Sequence, residues 1–333
     1  MHKLKTLFIF LFLSVMMLFL FTGNSIPLWS SEMLIVDKIG RTVKVQAPVK
    51  KAVLLTTYEL IPALGIWDNI AATGKWSLKN DLMLVFSSKL SKFPSVGSGA
   101  DVNMETMLKV RPDLVISWTF RSEQVRFMEG HGLTVISIYP DSLQELIEVI
   151  KMHGKLFNKE IRADYCITEM NKIFNFIKKR SGNISLNDKR RILWIGSRPT
   201  GVSGKGGMTN DIIELIGGIN SASEIGERNS DVSLEKIIRW NPDVIFIWGN
   251  ATYSAADIKN NPQWRFINAV KNGKVYKAPV WGTWSPRIAP IALWMAMKAY
   301  PEKYTDVKFS SYVDPFFRKV FGISYRKVKQ VEE

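Results

Sequence analysis

Apolar positions follow two patterns that alternate along the chain. Short runs of β-branched and aliphatic residues are separated by stretches with apolar residues three and four positions apart, such as Leu143, Leu146 and Ile150. The first pattern is typical of buried strands and the second of amphipathic helices. Their alternation predicts an α/β protein with mainly parallel sheets flanked by helices. The predicted strands are Ala52–Leu55, Ile70–Thr73, Leu114–Ser117, Thr134–Ile138, Arg191–Ile195, Val244–Trp248 and Lys274–Ala278.

One segment of the chain is repeated. Asn103–Ile116 aligns without a gap with Ser233–Phe246. Both copies contain a helix-capping residue, a glutamate two positions later, a Pro-Asp pair and an apolar strand, and each is followed by a glycine turn and another strand. Such a repeat indicates two copies of one structural plan, so we expect two similar Rossmann-like lobes.

A stretch without glycine or proline, Asn158–Arg180, separates the two copies. Its apolar residues recur at helical spacing, and a helix of ~23 residues would extend ~35 Å, enough to run along both lobes. We therefore predict a connecting helix at 158–182, an N-terminal lobe at 33–157 and a C-terminal lobe with a helical tail at 183–333. A rigid connector predicts only small closure on ligand binding. An ordinary surface helix of either lobe is the alternative.

The N-terminus has the pattern of an export signal. Lys3 and Lys5 precede the apolar run Leu7–Phe21, and small or polar residues follow it. Because this run is short for a helix that crosses ~30 Å of hydrocarbon, residues 1–25 are predicted to be a signal peptide for export to the periplasm. An uncleaved N-terminal anchor is the alternative. A lipoprotein would need a cysteine directly after the run, and the single cysteine is Cys166.

Composition restricts the chemistry further. One cysteine and three histidines leave no Cys-based metal site and little for a His-rich one. We therefore expect no cofactor, and any metal would arrive as a chelate or an oxoanion. Lys plus Arg number 45 against 30 Asp plus Glu, and this net charge of +15 favours anionic partners, although solubility alone also accounts for it. The chain has no nucleic-acid-binding motif, so nucleic acid is not expected among them.

Aromatic residues and arginines stand at the ends of the predicted strands. Trp118 and Trp248 end matching strands of the two lobes. In open α/β sheets, ligands bind at the carboxyl ends of the strands. Ring faces and guanidinium groups suit a flat or bulky, partly anionic ligand, although a single tryptophan is more often part of a core. The candidate cleft residues are Tyr58, Trp76, Trp118, Tyr139, Arg198, Trp248, Trp281, Trp284 and Arg287.

Glu105 and Glu235 occupy equivalent positions in the two copies of the repeat. Both fall in the first turn of a predicted helix, after the capping residues Asn103 and Ser233. Because each helix leads through Pro-Asp into a strand, its N-terminus lies near the carboxyl edge of the sheet. We therefore expect both carboxylates on one rim, where a symmetric pair of acids suits a two-fold partner. Stabilisation of the helix dipole is the alternative role.

Several segments together resemble a known family. They are Val36–Val43, both copies of the repeat, Gly204–Asn220 and Asn272–Tyr276. The chain resembles the substrate-binding proteins of ABC importers for iron chelates and cobalamin, from which it departs by lacking a lipid-anchor cysteine. The resemblance implies that ligand lies between the lobes, against the candidate cleft residues. It also implies that Glu105 and Glu235 dock onto arginines of a permease dimer, which works with its ATPase.

The sequence thus predicts a monomeric periplasmic solute-binding component of an ABC importer, without catalytic residues. Iron-siderophore is the first expected ligand, and cobalamin or another corrinoid, haem, and molybdate or tungstate stay open. A periplasmic enzyme or chelatase on a related two-lobed fold is the alternative of another class. That alternative would require a cluster of titratable groups in the cleft, where the sequence offers arginines and tryptophans.

Overall fold

The structure, a computed structural model, describes residues 31–118 and 122–328. The predicted signal peptide, residues 1–25, lies outside these ranges. Within them, none of the helices combines the length and the apolar character needed to cross a membrane. The described chain is an α/β protein in which two main sheets, each with its own helices, form an N-terminal and a C-terminal lobe.

Parallel strands form the main sheet of the N-terminal lobe. The strands described in this lobe are β1 Ser31–Val36, β2 Thr42–Ala47, β3 Ala52–Leu54, β4 Ile70–Thr73, β5 Gly97–Ser98, β6 Asp101–Val102, β7 Leu114–Trp118 and β8 Val135–Ile138. β4, β3, β7 and β8 lie side by side in that order, and all their pairings are parallel. The aliphatic side chains of β3 and β7 are buried on both faces of the sheet, as the uninterrupted apolar runs predicted.

Side-chain caps fix the starts of several helices that follow these strands. The side chains of Asn80, Asn103 and Ser142 each accept a hydrogen bond from a backbone N–H in the first turn of the next helix. The helices of the N-terminal lobe and the connector are α1 Leu60–Leu64, α2 Asp81–Val85, α3 Ser87–Leu90, α4 Met104–Val110, α5 Ser122–Gly130, α6 Leu143–Leu156 and α7 Glu160–Ser181.

The sheet of the C-terminal lobe is mixed. Its strands are β9 Arg191–Ile195, β10 Gly201–Ser203, β11 Ile219–Asn220, β12 Asn229–Asp231, β13 Val244–Ile247 and β14 Val275–Lys277. β9 pairs in parallel with β11 and β13, and β13 pairs in parallel with β14. β10 and β12 add an antiparallel edge. The sequence did not predict this edge, because its strands are short and partly polar.

Helices of the C-terminal lobe surround this sheet. They are α8 Met208–Leu215, α9 Leu234–Trp240, α10 Ala255–Lys259, α11 Asn268–Lys271, α12 Ile288–Ala299 and α13 Phe309–Phe321. α12 is apolar on all sides and almost entirely buried, as expected of a helix inside a core. Short 3-10 helices are found at Trp67–Asn69, Ser77–Lys79, Leu186–Asp188, Pro262–Trp264, Pro301–Lys303 and Tyr325–Lys327.

The long helix α7 contacts both lobes. It has 22 residues, which corresponds to a length of about 33 Å. It packs against α1 and α6 of the N-terminal lobe and against α8, α12 and α13 of the C-terminal lobe. Arg162 adds polar contacts at its start, where Nε donates to Ala63 O at 2.7 Å and Nη2 donates to Lys319 O at 2.9 Å. The predicted long connecting helix is therefore present.

The sequence repeat is also a structural repeat. α4 and α9 begin after the caps Asn103 and Ser233, and both end at a residue with a left-handed backbone. These end residues are Arg111, with φ of 48°, and Asn241, with φ of 45°. β7 and β13 then follow as neighbours of β3 and β9. The two lobes thus share one plan of helix, corner and strand.

The Pro-Asp corner has the same role in both lobes. Asp113 Oδ2 accepts hydrogen bonds from Lys50 N at 3.1 Å and Lys51 N at 2.9 Å, at the start of β3. Asp243 Oδ2 accepts one from Arg191 N at 2.9 Å, at the start of β9. Each aspartate therefore fastens the end of its helix to the beginning of the adjacent strand.

Candidate ligand-binding cavity

A cavity of about 1040 Å³ lies between the two lobes. Its walls are formed by segments that follow β3, β4, β7 and β8 on one side and β9, β13 and β14 on the other, so it lies at the carboxyl edge of both sheets. Its volume is at the upper limit of small-molecule sites. Seven of the nine candidate cleft residues line it: Tyr58, Trp76, Trp118, Tyr139, Trp248, Trp281 and Trp284.

Aromatic side chains from both lobes form much of the wall. The rings of Tyr139 and Trp284, from opposite lobes, meet edge to face with centroids 4.6 Å apart. Trp281 is buried, and its ring packs against aromatic rings at and beyond α13. Trp76 and Trp248 keep 48% and 37% of their surface exposed. The cavity therefore offers flat apolar faces, to which a ligand can stack.

Arg228, which does not stand at the end of a predicted strand, also lines the cavity. Its guanidinium carbon lies 3.6 Å from the centroid of the Tyr139 ring, and its Nε donates to Asp141 Oδ1. Lys38 Nζ contacts the other oxygen of Asp141 at 2.9 Å. Burial lowers the pKa of Arg228, but the hydrogen bonds and charge interactions with Asp141 and Tyr139 together outweigh it and raise the pKa above its ordinary value. Arg228 therefore remains a protonated guanidinium on the wall, beside its partner Asp141, which also lines the cavity.

A glycine-rich segment positions the loop that carries Arg228. A Cβ atom at Gly204 would lie 2.3 Å from Glu227 O, and a Cβ atom at Gly206 would lie 2.6 Å from Gly226 O. Both positions therefore require glycine, so that the two loops can pack closely. Arg228 lies in a loop rather than at the end of a parallel strand, so the strand-end pattern missed it. In the sequence, the cluster of glycines at 201–207 is the feature that indicates a close approach of two backbone segments.

The polar groups on the wall include the start of a helix. Gly207, Met208 and Thr209 line the cavity where α8 begins. The first N–H groups of a helix have no acceptor within the helix, so they can donate to oxygen atoms of a ligand. In residues 31–118 and 122–328, no three His, Cys, Asp or Glu side chains are grouped so that they could hold a metal ion.

Arg198 is not among the residues that line the cavity. Its side chain is 76% exposed, and its Nη1 donates to Asp231 at 3.3 Å. β9 ends at Ile195, and the chain turns directly into the antiparallel strand β10, which the sequence did not predict. At this turn the cavity is lined by Gly196 and Ser197 instead.

Arg287 is fully buried behind the wall, and the structure does not place it on the lining. Its Nε and Nη2 donate to the Glu59 carboxylate, and its Nη1 donates to Asp81 at 2.7 Å. Burial would raise the pKa of Glu59, but Arg287, Ser285 and Asn80 hold it below its ordinary value. The two buried charges therefore compensate each other.

The ion pairs Glu59–Arg287 and Asp141–Arg228 both join one lobe to the other. Glu59 and Asp141 belong to the N-terminal lobe, and their arginine partners belong to the C-terminal lobe. Leu143 N adds a third contact, a hydrogen bond to Asp211 Oδ2 at 2.8 Å. Together with α7, these contacts hold the two lobes against each other.

Glu105 and Glu235 are exposed in the first turns of α4 and α9. Hydrogen bonds from its own backbone N–H and from Ser233 lower the pKa of Glu235 below its ordinary value. Because the two helices are copies of one plan, the carboxylates occupy equivalent positions in the two lobes.

Known proteins share this architecture. A family model for periplasmic binding proteins matches residues 52–280. The molybdate-binding protein MolA of Haemophilus influenzae is 24% identical over 89% of this chain and 93% of its own. The Fe(3+)-citrate-binding protein YfmC of Bacillus subtilis is 25% identical over 73% of this chain and 76% of its own. The crystal structure of Helicobacter pylori CeuE with Ni-His has a TM-score of 0.80 and 26% identity, and covers 90% of this chain and 100% of that chain.

Two lobes, a long connecting helix and a cavity between the lobes define a solute-binding protein. The chain belongs to the periplasmic binding protein family, whose model covers more than half of it. Its role is that of a solute-binding component of a transport system. The fold and the family predicted from the sequence are therefore confirmed.

Proposed function

We propose that this protein captures an anionic metal chelate in the cavity and delivers it to the permease of an ABC importer. The observation that carries the proposal is the wall itself, in which aromatic faces from both lobes surround the positive charge of Arg228. Flat faces bind extended groups by stacking, and the guanidinium attracts carboxylate, catecholate or hydroxamate oxygens. A ferric siderophore combines both features and is our first choice.

The size of the cavity favours a chelate over a bare oxoanion. A tetrahedral oxoanion would fill a small fraction of about 1040 Å³ and would leave most of the aromatic wall without a contact. YfmC, a relative named for binding ferric citrate, supports a chelated iron. Molybdate is the second candidate, because MolA, a relative that matches most of both chains, is named for binding it.

We further propose that Glu105 and Glu235 dock onto arginines of the permease dimer. Their equivalent, exposed positions in the two lobes match a partner with two-fold symmetry. In this scheme residues 1–25 direct export to the periplasm, where the mature protein acts as a monomer. The ligand is carried without a chemical step, so the cleft residues serve as contacts and not as catalysts.

The ligand class can be identified on protein purified from the native periplasm. We expect native mass spectrometry and metal analysis to find an organic chelator together with iron. Titrations with ferric citrate, nickel(II)–histidine and sodium molybdate, followed by tryptophan fluorescence, give a second measurement. If the protein bound molybdate tightly and retained no chelator, its ligand would be an oxoanion and not a chelate. Turnover of the bound compound would contradict the non-catalytic role.

A further inference from the structure

Thr57 lies directly behind the cavity wall in an unusual backbone conformation. Its φ angle is +52°, in the left-handed region that a β-branched residue rarely adopts. Its neighbours Thr56 and Tyr58 both line the cavity, whereas Thr57 is buried and does not. A conformation of this kind persists only where the surroundings stabilise it. The neighbours of Thr57 therefore help to determine where two wall residues lie.

A buried histidine contacts Thr57 on the side away from the cavity. His153, in α6, has no exposed surface, and its Nε2 lies 3.1 Å from Thr57 Oγ1. Its Nδ1 lies 2.7 Å from the carbonyl oxygen of Val149, so in the neutral ring Nδ1 carries the proton and Nε2 is an acceptor. The single proton of the Thr57 hydroxyl therefore has two acceptors within reach, Thr56 O at 2.7 Å and His153 Nε2 at 3.1 Å.

Burial also keeps this histidine neutral. It lowers the pKa of His153 to about 4, so Nε2 remains an acceptor at neutral pH. The next part of the segment is held separately, because Glu59 is bound by Arg287. Two backbone hydrogen bonds lead from the segment into α1, from Leu60 N to Thr57 O at 2.8 Å and from Ile61 N to Tyr58 O at 3.0 Å.

We propose that His153 is a positioning residue for ligand binding. By bonding to Thr57 it holds residues 56–58 in the conformation that presents Thr56 and Tyr58 to the cavity. His153 does not itself line the cavity, so it acts only through Thr57. The inference rests on the proposed function, because it assumes that the cavity is the ligand site.

A double-mutant cycle separates positioning from packing. We expect His153→Ala to weaken ferric citrate binding about tenfold, because the strain at Thr57 is no longer offset. In the Thr57→Gly background the same substitution should change the affinity less than about twofold, because glycine adopts positive φ without support. His153→Gln should retain most of the affinity of the wild-type protein, since its amide can reach Thr57.

Thermal stability provides the control for folding. His153→Ala leaves a buried cavity, so it should lower Tm in both backgrounds. A positioning role predicts that His153→Ala lowers stability in both backgrounds. It predicts loss of affinity only in the background that keeps Thr57. An equal loss of affinity in both backgrounds, or no loss in either, would overturn the proposal.

Hydrogen exchange tests the same contact without a ligand. Exchange at the amides of Leu60 and Ile61 should be faster in His153→Ala and should return toward the wild-type rate when Thr57→Gly is added. If wild-type protein binds none of ferric citrate, nickel(II)–histidine and molybdate, the proposed ligands are wrong, whereas the exchange rates still decide whether His153 holds this segment. Unchanged exchange in His153→Ala would contradict the positioning role.

Discussion

At the scale of single residues, the position of an arginine side chain decides whether it can serve a ligand. Arg228 presents its charge to the cavity while it stacks on Tyr139. We expect Arg228→Ala to weaken ferric citrate binding about ten- to hundredfold, because a charged hydrogen bond is lost. Arg228→Lys should give an intermediate affinity, since it keeps the charge but loses the planar stacking group. Isothermal titration calorimetry measures both changes.

Arg198 provides the matched control for this substitution. Its side chain is exposed and pairs with Asp231, away from the residues that line the cavity. Arg198→Ala should therefore leave the affinity unchanged while removing the same formal charge. If both substitutions weakened binding equally, the effect would come from the overall charge of the protein and not from the cavity wall.

His153 also makes stability depend on pH. Its pKa is about 4 in the folded protein, against an ordinary value of 6.5. Between these two pH values the unfolded chain binds a proton on His153 more readily than the folded protein does. The free energy of unfolding therefore rises with pH across this range. As the pH falls from 6.5 to about 4, this group lowers the free energy of unfolding by up to about 3 kcal/mol. Urea unfolding at pH 7 and at pH 4.5 should show a smaller difference for His153→Gln than for the wild-type protein. An identical difference would contradict this assignment.

At the scale of secondary-structure elements, the Pro-Asp corner joins a helix to the neighbouring strand in both lobes. Asp113→Ala removes the acceptor for two backbone N–H groups at the start of β3, and Asp243→Ala removes the acceptor at the start of β9. We expect each substitution to lower the free energy of unfolding by about 1 kcal/mol, since these bonds are partly exposed. The control is Asp113→Asn, which keeps an acceptor oxygen and should cost less in urea unfolding.

Local chemistry also explains which elements could be predicted from the sequence. The caps at Asn103 and Ser233 and the apolar runs of β7 and β13 depend on neighbouring residues, so their pattern is visible in the chain. β10 and β12 form an edge from short segments with little apolar character, and no such pattern marks them.

Some of the candidate cleft residues could be predicted from the sequence, and their partners could not. Aromatic residues at strand ends could be identified, because parallel strands bring their carboxyl ends to one edge. The partner of Arg287 could not be identified from the sequence, because Glu59 lies 228 residues away and only the packing of the lobes brings the two together. The position of Arg228 likewise depends on how closely the loop 225–228 packs against Gly204, Gly206 and Gly207.

At the scale of the whole molecule, the contacts between the lobes favour a rigid protein. α7 packs on both lobes, and the pairs Glu59–Arg287 and Asp141–Arg228 join them. The pair Glu59–Arg287 is buried and resists separation, because each charge would be left without its partner. The pair Asp141–Arg228 is partly exposed and contributes less. A rigid body keeps Glu105 and Glu235 at a constant separation, which the proposed docking onto a two-fold permease would require.

We predict that the two glutamates act together in transport and not in ligand binding. In proteoliposomes that contain the cognate permease and ATPase, Glu105→Ala with Glu235→Ala should reduce uptake of radioactive ferric citrate at least about tenfold, because two charge pairs with the permease are lost. The affinity of the protein for ferric citrate should stay unchanged, since neither residue lines the cavity.

The control pair is Glu123→Ala with Glu160→Ala. These exposed acids occupy the first turns of α5 and α7, outside the repeat, and their loss removes the same charge. Uptake should therefore remain close to that of the wild-type protein. Equal loss of uptake with both pairs would show a response to net charge, and full uptake without Glu105 and Glu235 would place the docking contacts elsewhere on the lobes.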